Sequence, residues 1–227
     1  MAKEQPSLVW IAFPNNPTGN AFPVADIERI VRAAPGLVVI DEAYQPFAGA
    51  TFMPRLAEFE NMVVMRTVSK IGMAGLRLGY VCGRPEWIEA FNRTRSPFNI
   101  NVLTEAVAIK LLQNKKVLDA QAVKVLEERE RVRPELARMP GLTVYPSAAN
   151  FLLVRVAGAQ RSAQGDHRSA QGALGAGTRV FESLKAQGVL VKDFSGGHPL
   201  MENCLRLTIG TPEENRILLA ALREALK

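Results

Sequence analysis

Sulfur and imidazole are scarce in this chain: 227 residues carry two cysteines and two histidines. Cys82 and Cys204 stand far apart with no metal-ligand spacing, which argues against a disulfide framework and against a thiolate metal site. His167 and His198 each lie in a Gly- and Ser-rich stretch and read as loop histidines, so no metal is expected. No apolar run approaches the roughly 20 residues that cross a bilayer. The opening Met1-Ala2-Lys3-Glu4-Gln5-Pro6 has neither the apolar stretch nor the cleavage pattern of a secretory signal. The expected setting is cytoplasmic, with no membrane partner. Aromatic residues make up 7% and are not interleaved with basic ones, so the pattern that stacks on bases is missing and no nucleic-acid partner is expected. The net charge of +6 is scattered and weakly favours small anionic ligands.

What is present is ordinary globular material, 48% hydrophobic and 22% charged. Leu8-Val9-Trp10-Ile11-Ala12, Leu37-Val38-Val39-Ile40 and Met62-Val63-Val64-Met65 are short apolar runs, each ending in polar or turn-forming residues. Strands apolar on both faces suit a parallel sheet covered by helices, and the helical spacing of residues 24–33 between the first two supplies the β–α–β alternation. Helices are predicted over 85–93, over 100–112 with an amphipathic stripe of Leu103, Val107 and Leu111, and over 115–139 with a kink near Pro134. After Gly141 the predicted order is strands at 142–145 and 150–156, a helix at 178–187, strands at 189–191 and 204–208, and a closing helix at 213–226. The long helix is the predicted hinge between two domains. Between the 150–156 strand and the 178–187 helix, Arg161-Ser162-Ala163-Gln164-Gly165 recurs seven residues later as Arg168-Ser169-Ala170-Gln171-Gly172. The Gly-, Ala-, Ser- and Gln-rich run 157–177 cannot build a core and is predicted to be a mobile surface insert.

The chemistry-bearing residues fall at successive strand ends: Asn16 after the first, Asp41 and Tyr44 after the second, Thr67, Ser69 and Lys70 after the third. Ligands of open parallel sheets sit beyond the carboxyl ends of the strands, so these groups are predicted to converge. Each is bland alone: Asn16 suits a turn, Asp41 a helix cap, Tyr44 a core and Lys70 a solvated surface. Their order carries the signal.

In that order, Asn15-Asn16-Pro17-Thr18-Gly19, Asp41-Glu42-Ala43-Tyr44, Ser69-Lys70 and Gly75-Leu76-Arg77-Leu78-Gly79-Tyr80 resemble the signature of class I and II aminotransferases. Within that family the chain is most similar to the histidinol-phosphate branch, with support from Arg66-Thr67-Val68-Ser69-Lys70, Asn150-Phe151-Leu152-Leu153 and Cys204-Leu205-Arg206-Leu207-Thr208-Ile209-Gly210. The resemblance implies an α/β fold of type I: a mostly parallel sheet in an incomplete large domain, residues 1–114, and a connecting helix with a small α+β domain, residues 115–227. It implies pyridoxal 5'-phosphate as cofactor and Lys70 as the lysine that links to its aldehyde and later moves the substrate proton. Asp41 faces the ring nitrogen, Asn16 and Tyr44 the ring oxygen, and Thr67, Ser69 and Arg77 the phosphate. Arg206 takes the substrate's anionic group, and Asn16 also borders the substrate. Implied substrates are a phosphorylated amino alcohol and the glutamate/2-oxoglutarate pair, in histidine biosynthesis, with a homodimer as the full-length assembly.

Two departures qualify what the resemblance implies. The Lys70-to-Arg77 spacing is one residue shorter than in many members. A long region ahead of Asn16, which in the family supplies a phosphate-binding loop, a ring-stacking aromatic, part of the small domain and interface groups, is not among these residues. The chain by itself is therefore expected to bind cofactor weakly and turn over little. Alternative readings are an aromatic or broad-range aminotransferase, a threonine-phosphate decarboxylase-like enzyme, or an inactive fragment that needs its missing part.

Overall fold

A computed structural model describes residues 3–158 and 175–227 of the chain. The described residues form two compact units. One comprises Met1–Asn16 and Asn20–Lys124, the other Pro17–Gly19 and Val125–Lys227. No helix among the described residues is long and apolar enough to cross a membrane.

The first unit is built on a four-stranded sheet in the order β1 (Leu8–Ala12), β2 (Leu37–Asp41), β3 (Met62–Thr67), β4 (Gly79–Cys82). β1, β2 and β3 are parallel and β4 is antiparallel to β3. β4 is not among the strands expected from the sequence. It is four residues long, and its pairing with β3 is set by the hairpin that closes above it. Alternation divides each strand between two faces. Val9, Ile11, Val38, Ile40, Met62 and Val64 pack with Ile27 and Val31 of helix α1 (Val24–Ala33). Leu37, Val39 and Val63 pack on the other face with Trp87 and Phe91 of α2 (Pro85–Thr94).

α3 (Val102–Leu112) is capped by Asn101, whose side chain accepts the Thr104 N–H at 2.8 Å. The stripe predicted to be buried is not: Leu103 is 77% exposed and Val107 43%, while Thr104 and Ala108 face inward. Most of this helix is apolar all round, so the pattern could not choose a face. α4 (Lys115–Ala137) continues through Pro134.

The second unit carries an antiparallel sheet, β5 (Leu142–Val144), β6 (Phe151–Val156), β8 (Cys204–Thr208), β7 (Lys192–Asp193). Val132 and Leu136 of α4, Val180 and Leu184 of α5 (Ala176–Ala186), and Leu218, Leu219 and Leu222 of α6 (Pro212–Ala225) bury against Leu152, Val154, Leu205 and Leu207. Two expectations are corrected here. The apolar run 189–191 is not strand; pairing with β8 begins at Lys192, because Val189 and Val191 pack onto the core without entering the ladder. The helix predicted to start at 178 starts at Ala176. The Gly177 N–H donates to Asn203 Oδ1 at 3.0 Å, and a Cβ at 177 would stand 2.6 Å from Asn203 Cα, so this first turn needs a glycine and a distant cap. Most of the 157–177 insert lies outside the described residues.

A polar knot ties α4 to α6. Asn215, buried, exchanges hydrogen bonds with the Gly210 backbone and donates to Glu128 Oε2 at 2.8 Å; Arg131 donates to both Glu128 oxygens. Hydrogen bonds from Arg131, opposed by some burial and joined by the Asn215 amide, hold the Glu128 pKa below its usual value. Its contribution to stability is thus complete above the ordinary glutamate range and lost as pH falls through the depressed value. Glu128→Gln is expected to lower stability by about 1 kcal/mol at neutral pH. Thermal melts should show the deficit shrinking in acid; a deficit that is constant with pH would remove charge as its cause.

Candidate active site

The parallel strands end on one side of the first sheet. Ala12, Asp41 and Met65 stand on one rung, so the loops that follow β1, β2 and β3 emerge as neighbours. The first holds Asn16, exposed, in a turn closed by the Asn15 N–H on the Asn20 carbonyl at 2.9 Å. Gly19 in this motif has φ +79°, and a Cβ there would lie 2.7 Å from Ser147 Oγ, which accounts for the glycine. The second loop holds Tyr44, buried at the start of a 3-10 turn over Gln45–Phe47. The third holds Lys70, exposed, in the 3-10 turn Ser69–Ile71. Lys70 Nζ lies 5.4 Å from the centroid of the Tyr44 ring.

Asp41 and Glu42 are adjacent carboxylates with opposite fates, because neighbouring residues of an extended chain point to opposite faces. Glu42 is 1% exposed, and its carboxylate accepts from the Phe52 N–H at 2.5 Å, Thr51 Oγ1 at 2.8 Å, and Arg66 Nε and Nη2 at 2.9 and 2.8 Å. Burial alone would lower the Arg66 pKa; the hydrogen bonds and charge of Glu42, with Tyr80 adding, raise it above its usual value. Asp41 stays half-buried. Its Oδ1 accepts the Ala43 N–H at 3.0 Å and its Oδ2 the Trp10 indole N–H at 3.3 Å. The Glu42–Arg66–Thr51 cluster and the Trp10 contact went unread in the sequence, since their partners come from strands and loops apart in the chain.

The hairpin between β3 and β4 gathers a second group. Thr67 stands opposite Gly79, and the Val68 N–H donates to the Leu78 carbonyl, so the hairpin closes over the turns that carry Ser69 and Arg77. Thr67 Oγ1 lies 2.9 Å from Ser69 Oγ and donates to the Leu78 carbonyl at 3.0 Å. Arg77 is exposed in a left-handed conformation, φ +52°, and its guanidinium reaches only a weak 3.5 Å contact with the Ala74 carbonyl. Cβ atoms built at Gly72 and Gly75 would meet nothing closer than 3.6 Å, so the loop after Lys70 is open at both glycines. One hairpin thus carries an amine, two hydroxyls and a guanidinium, and the neighbouring strand β2 ends on the Asp41 carboxylate.

Arg206 belongs to the second unit. Its guanidinium carbon lies 5.1 Å from the Phe151 ring centroid and 5.7 Å from that of Phe194, which fixes its plane between two aromatic faces. His198 caps the short turn Pro199–Met201 through Nδ1, which accepts the Leu200 N–H at 3.1 Å.

A family model for aminotransferases of class I and II matches residues 1–222. The chain belongs to this family. A histidinol-phosphate aminotransferase of Burkholderia lata is 52% identical over 227 residues, an alignment that takes in all of this chain and 58% of that protein. The chain thus spans somewhat over half the length of the curated relatives it matches. The crystal structure of histidinol-phosphate aminotransferase from Sinorhizobium meliloti, in complex with pyridoxal-5'-phosphate, is 28% identical with a TM-score of 0.82, covering 99% of this chain and 58% of that one. L-threonine-O-3-phosphate decarboxylase from Porphyromonas gingivalis shares the fold at 22% identity and a TM-score of 0.78, over 97% of this chain and 64% of that one. The aminotransferase fold expected from the sequence, α/β of type I with a mostly parallel sheet and a smaller α+β portion, is the one found.

Proposed function

We propose that the intact protein is a histidinol-phosphate transaminase, exchanging an amino group between L-histidinol phosphate and 2-oxoglutarate to give imidazole acetol phosphate and glutamate, in cytoplasmic histidine biosynthesis. The observation that carries this reading is the approach of Lys70 to the Tyr44 ring, on loops that follow adjacent parallel strands, in a chain 52% identical to a protein of that name. The cofactor is pyridoxal 5'-phosphate. When bound, it supplies an exchangeable aldehyde and a ring that draws electrons from the carbon being deprotonated.

Each residue then has a defined role. Lys70 Nζ would be the amine that holds the cofactor through its aldehyde and, once free, the base that carries the proton from the substrate Cα. Asp41 would keep a proton on the ring nitrogen by offering it a negative charge. Tyr44 and Asn16 would hydrogen-bond the ring oxygen, with Asn16 also bordering the substrate. Thr67, Ser69 and Arg77 would hold the phosphate with hydroxyl donors and a guanidinium fork. Arg206, its plane set by Phe151 and Phe194, pairs with the substrate phosphate or the carboxylate of glutamate. Residues 1–114 form the cofactor-binding domain and 115–227 the connecting helix and small domain. The full-length protein is a homodimer, a reading supported by the bare apolar residues Phe98, Val102, Leu103 and Val107.

The test is a pyridoxal phosphate titration followed by absorbance, then assays of glutamate formation. Histidinol phosphate with 2-oxoglutarate is expected to outpace phenylalanine with 2-oxoglutarate. Faster turnover of phenylalanine would favour a broad-range aminotransferase, and carbon dioxide release from threonine phosphate would replace transamination with decarboxylation.

A further inference from the structure

We propose that Trp10 is a positioning residue for this cofactor site, acting through Asp41; the proposal rests on the reading of Asp41 as the partner of a cationic ring nitrogen. A carboxylate turns easily about its last side-chain bond, whose rotamer well is broad. One anchor on Asp41 is local: the Ala43 N–H, two residues on, holds Oδ1 at 3.0 Å. A single local contact leaves the plane of the carboxylate free to swing. The second anchor comes from the neighbouring strand, where the Trp10 indole N–H holds Oδ2 at 3.3 Å. Two donors on two oxygens define the plane. A carboxylate has about four lone-pair sites, so room remains for one more donor, the protonated ring nitrogen.

The strand register explains why tryptophan is required. Trp10 stands opposite Val39, two residues before Asp41 and on the same face, and a donor must reach along the strand to meet the carboxylate. An indole spans that distance; a phenyl ring has the shape without the N–H. Packing does not account for Trp10. It is 54% exposed, and it is absent from the cluster in which Leu37, Val39 and Val63 bury Trp87 and Phe91 on that face. Trp87 shows the contrasting use of the residue: it sits in that cluster and donates to the Glu60 carbonyl at 2.8 Å.

The experiment has two arms. The first needs no cofactor. In a Trp87→Phe chain, Trp10 is the sole indole, because the sequence has two tryptophans. Its emission should shift when Asp41→Ala removes the acceptor, and an unchanged spectrum overturns the contact. If Trp87→Phe does not fold, the difference between the unsubstituted chain and Trp10→Phe isolates the same emission. The second arm measures binding of pyridoxal phosphate. Trp10→Phe should weaken it about fivefold, the scale of one partly exposed hydrogen bond to a charged group. Leu8→Ala, on the same strand face, should not. The double variant Trp10→Phe/Asp41→Ala should bind no more weakly than Asp41→Ala alone. Trp10→Phe should also leave unchanged the affinity for a cofactor analogue with carbon in place of the ring nitrogen. Additive losses, or an equal loss with the carbon analogue, would show that Trp10 only covers apolar surface and overturn the proposal. No binding by the unsubstituted intact protein refutes the cofactor reading and the positioning role with it, while the emission arm still decides the contact.

Discussion

Lys70→Ala is expected to abolish the borohydride-stable adduct with pyridoxal phosphate and to lower transamination by the intact protein at least about a thousandfold, the combined scale of losing a nucleophile and a positioned acid–base group. The single amine serves both purposes, so no other group on the first sheet replaces it. Tyr44 beside it has a hydroxyl and a ring but no amine. Lys70→Arg separates charge from chemistry. It keeps a cation over the Tyr44 ring, yet a guanidinium neither condenses with an aldehyde nor gives up its proton near neutral pH. Both variants should melt within about 0.5 kcal/mol of the unsubstituted chain, since Lys70 is exposed. The measurement is reduction with borohydride, proteolysis and mass mapping. An adduct on a peptide that lacks Lys70 would sink the assignment, and an arginine variant with normal turnover would sink the mechanism.

The second large effect is on stability. Glu42→Ala is expected to destabilise the first unit by about 3–5 kcal/mol, the usual result of leaving one member of a buried ion pair uncompensated. Glu42 satisfies a backbone N–H, a hydroxyl and two guanidinium nitrogens, and its deletion leaves the Phe52 N–H and Arg66 Nε without their acceptor, while Arg66 Nη2 keeps only Thr51 Oγ1. The pair as such is worth less than its breakage costs. Replacing both partners, as Glu42→Leu with Arg66→Met, should therefore destabilise by less than Glu42→Ala alone. Tryptophan emission during urea unfolding reads this, because Trp10 and Trp87 both lie in the first unit. A loss below about 1 kcal/mol for the single variant would mean that water reaches the cluster and solvates Arg66.

Local pattern determined much of this protein. Runs such as Leu37-Val38-Val39-Ile40 are strands because burial on both faces is the only way to dispose of them, and the interposed helix makes their parallel pairing the economical one. The closing helix begins where Thr211, Pro212 and Glu214 form a cap from within four residues of chain; Thr211 Oγ1 and Glu214 Oε2 answer each other's backbone N–H groups. The order of Asn16, Asp41, Tyr44, Lys70 and Arg77 was legible because successive parallel strands deliver their ends to one side. Tertiary structure decided what depends on partners far along the chain. Alternation separates Asp41 from Glu42, but only Phe52, Thr51 and Arg66 make the second a buried ion-pair member, and only Trp10 gives the first its second anchor. β4 exists through its register with β3, β7 stands at Lys192 through its register with β8, and α5 begins early through the side chain of Asn203. In α3, apolar on nearly every side, composition left the buried face open, and packing chose Thr104 and Ala108 over Leu103 and Val107. A hydrophobic or hydrogen-bonding pattern is written along the chain within a few residues, whereas a partner is a meeting in space, and the chain reaches it only once the sheet has formed.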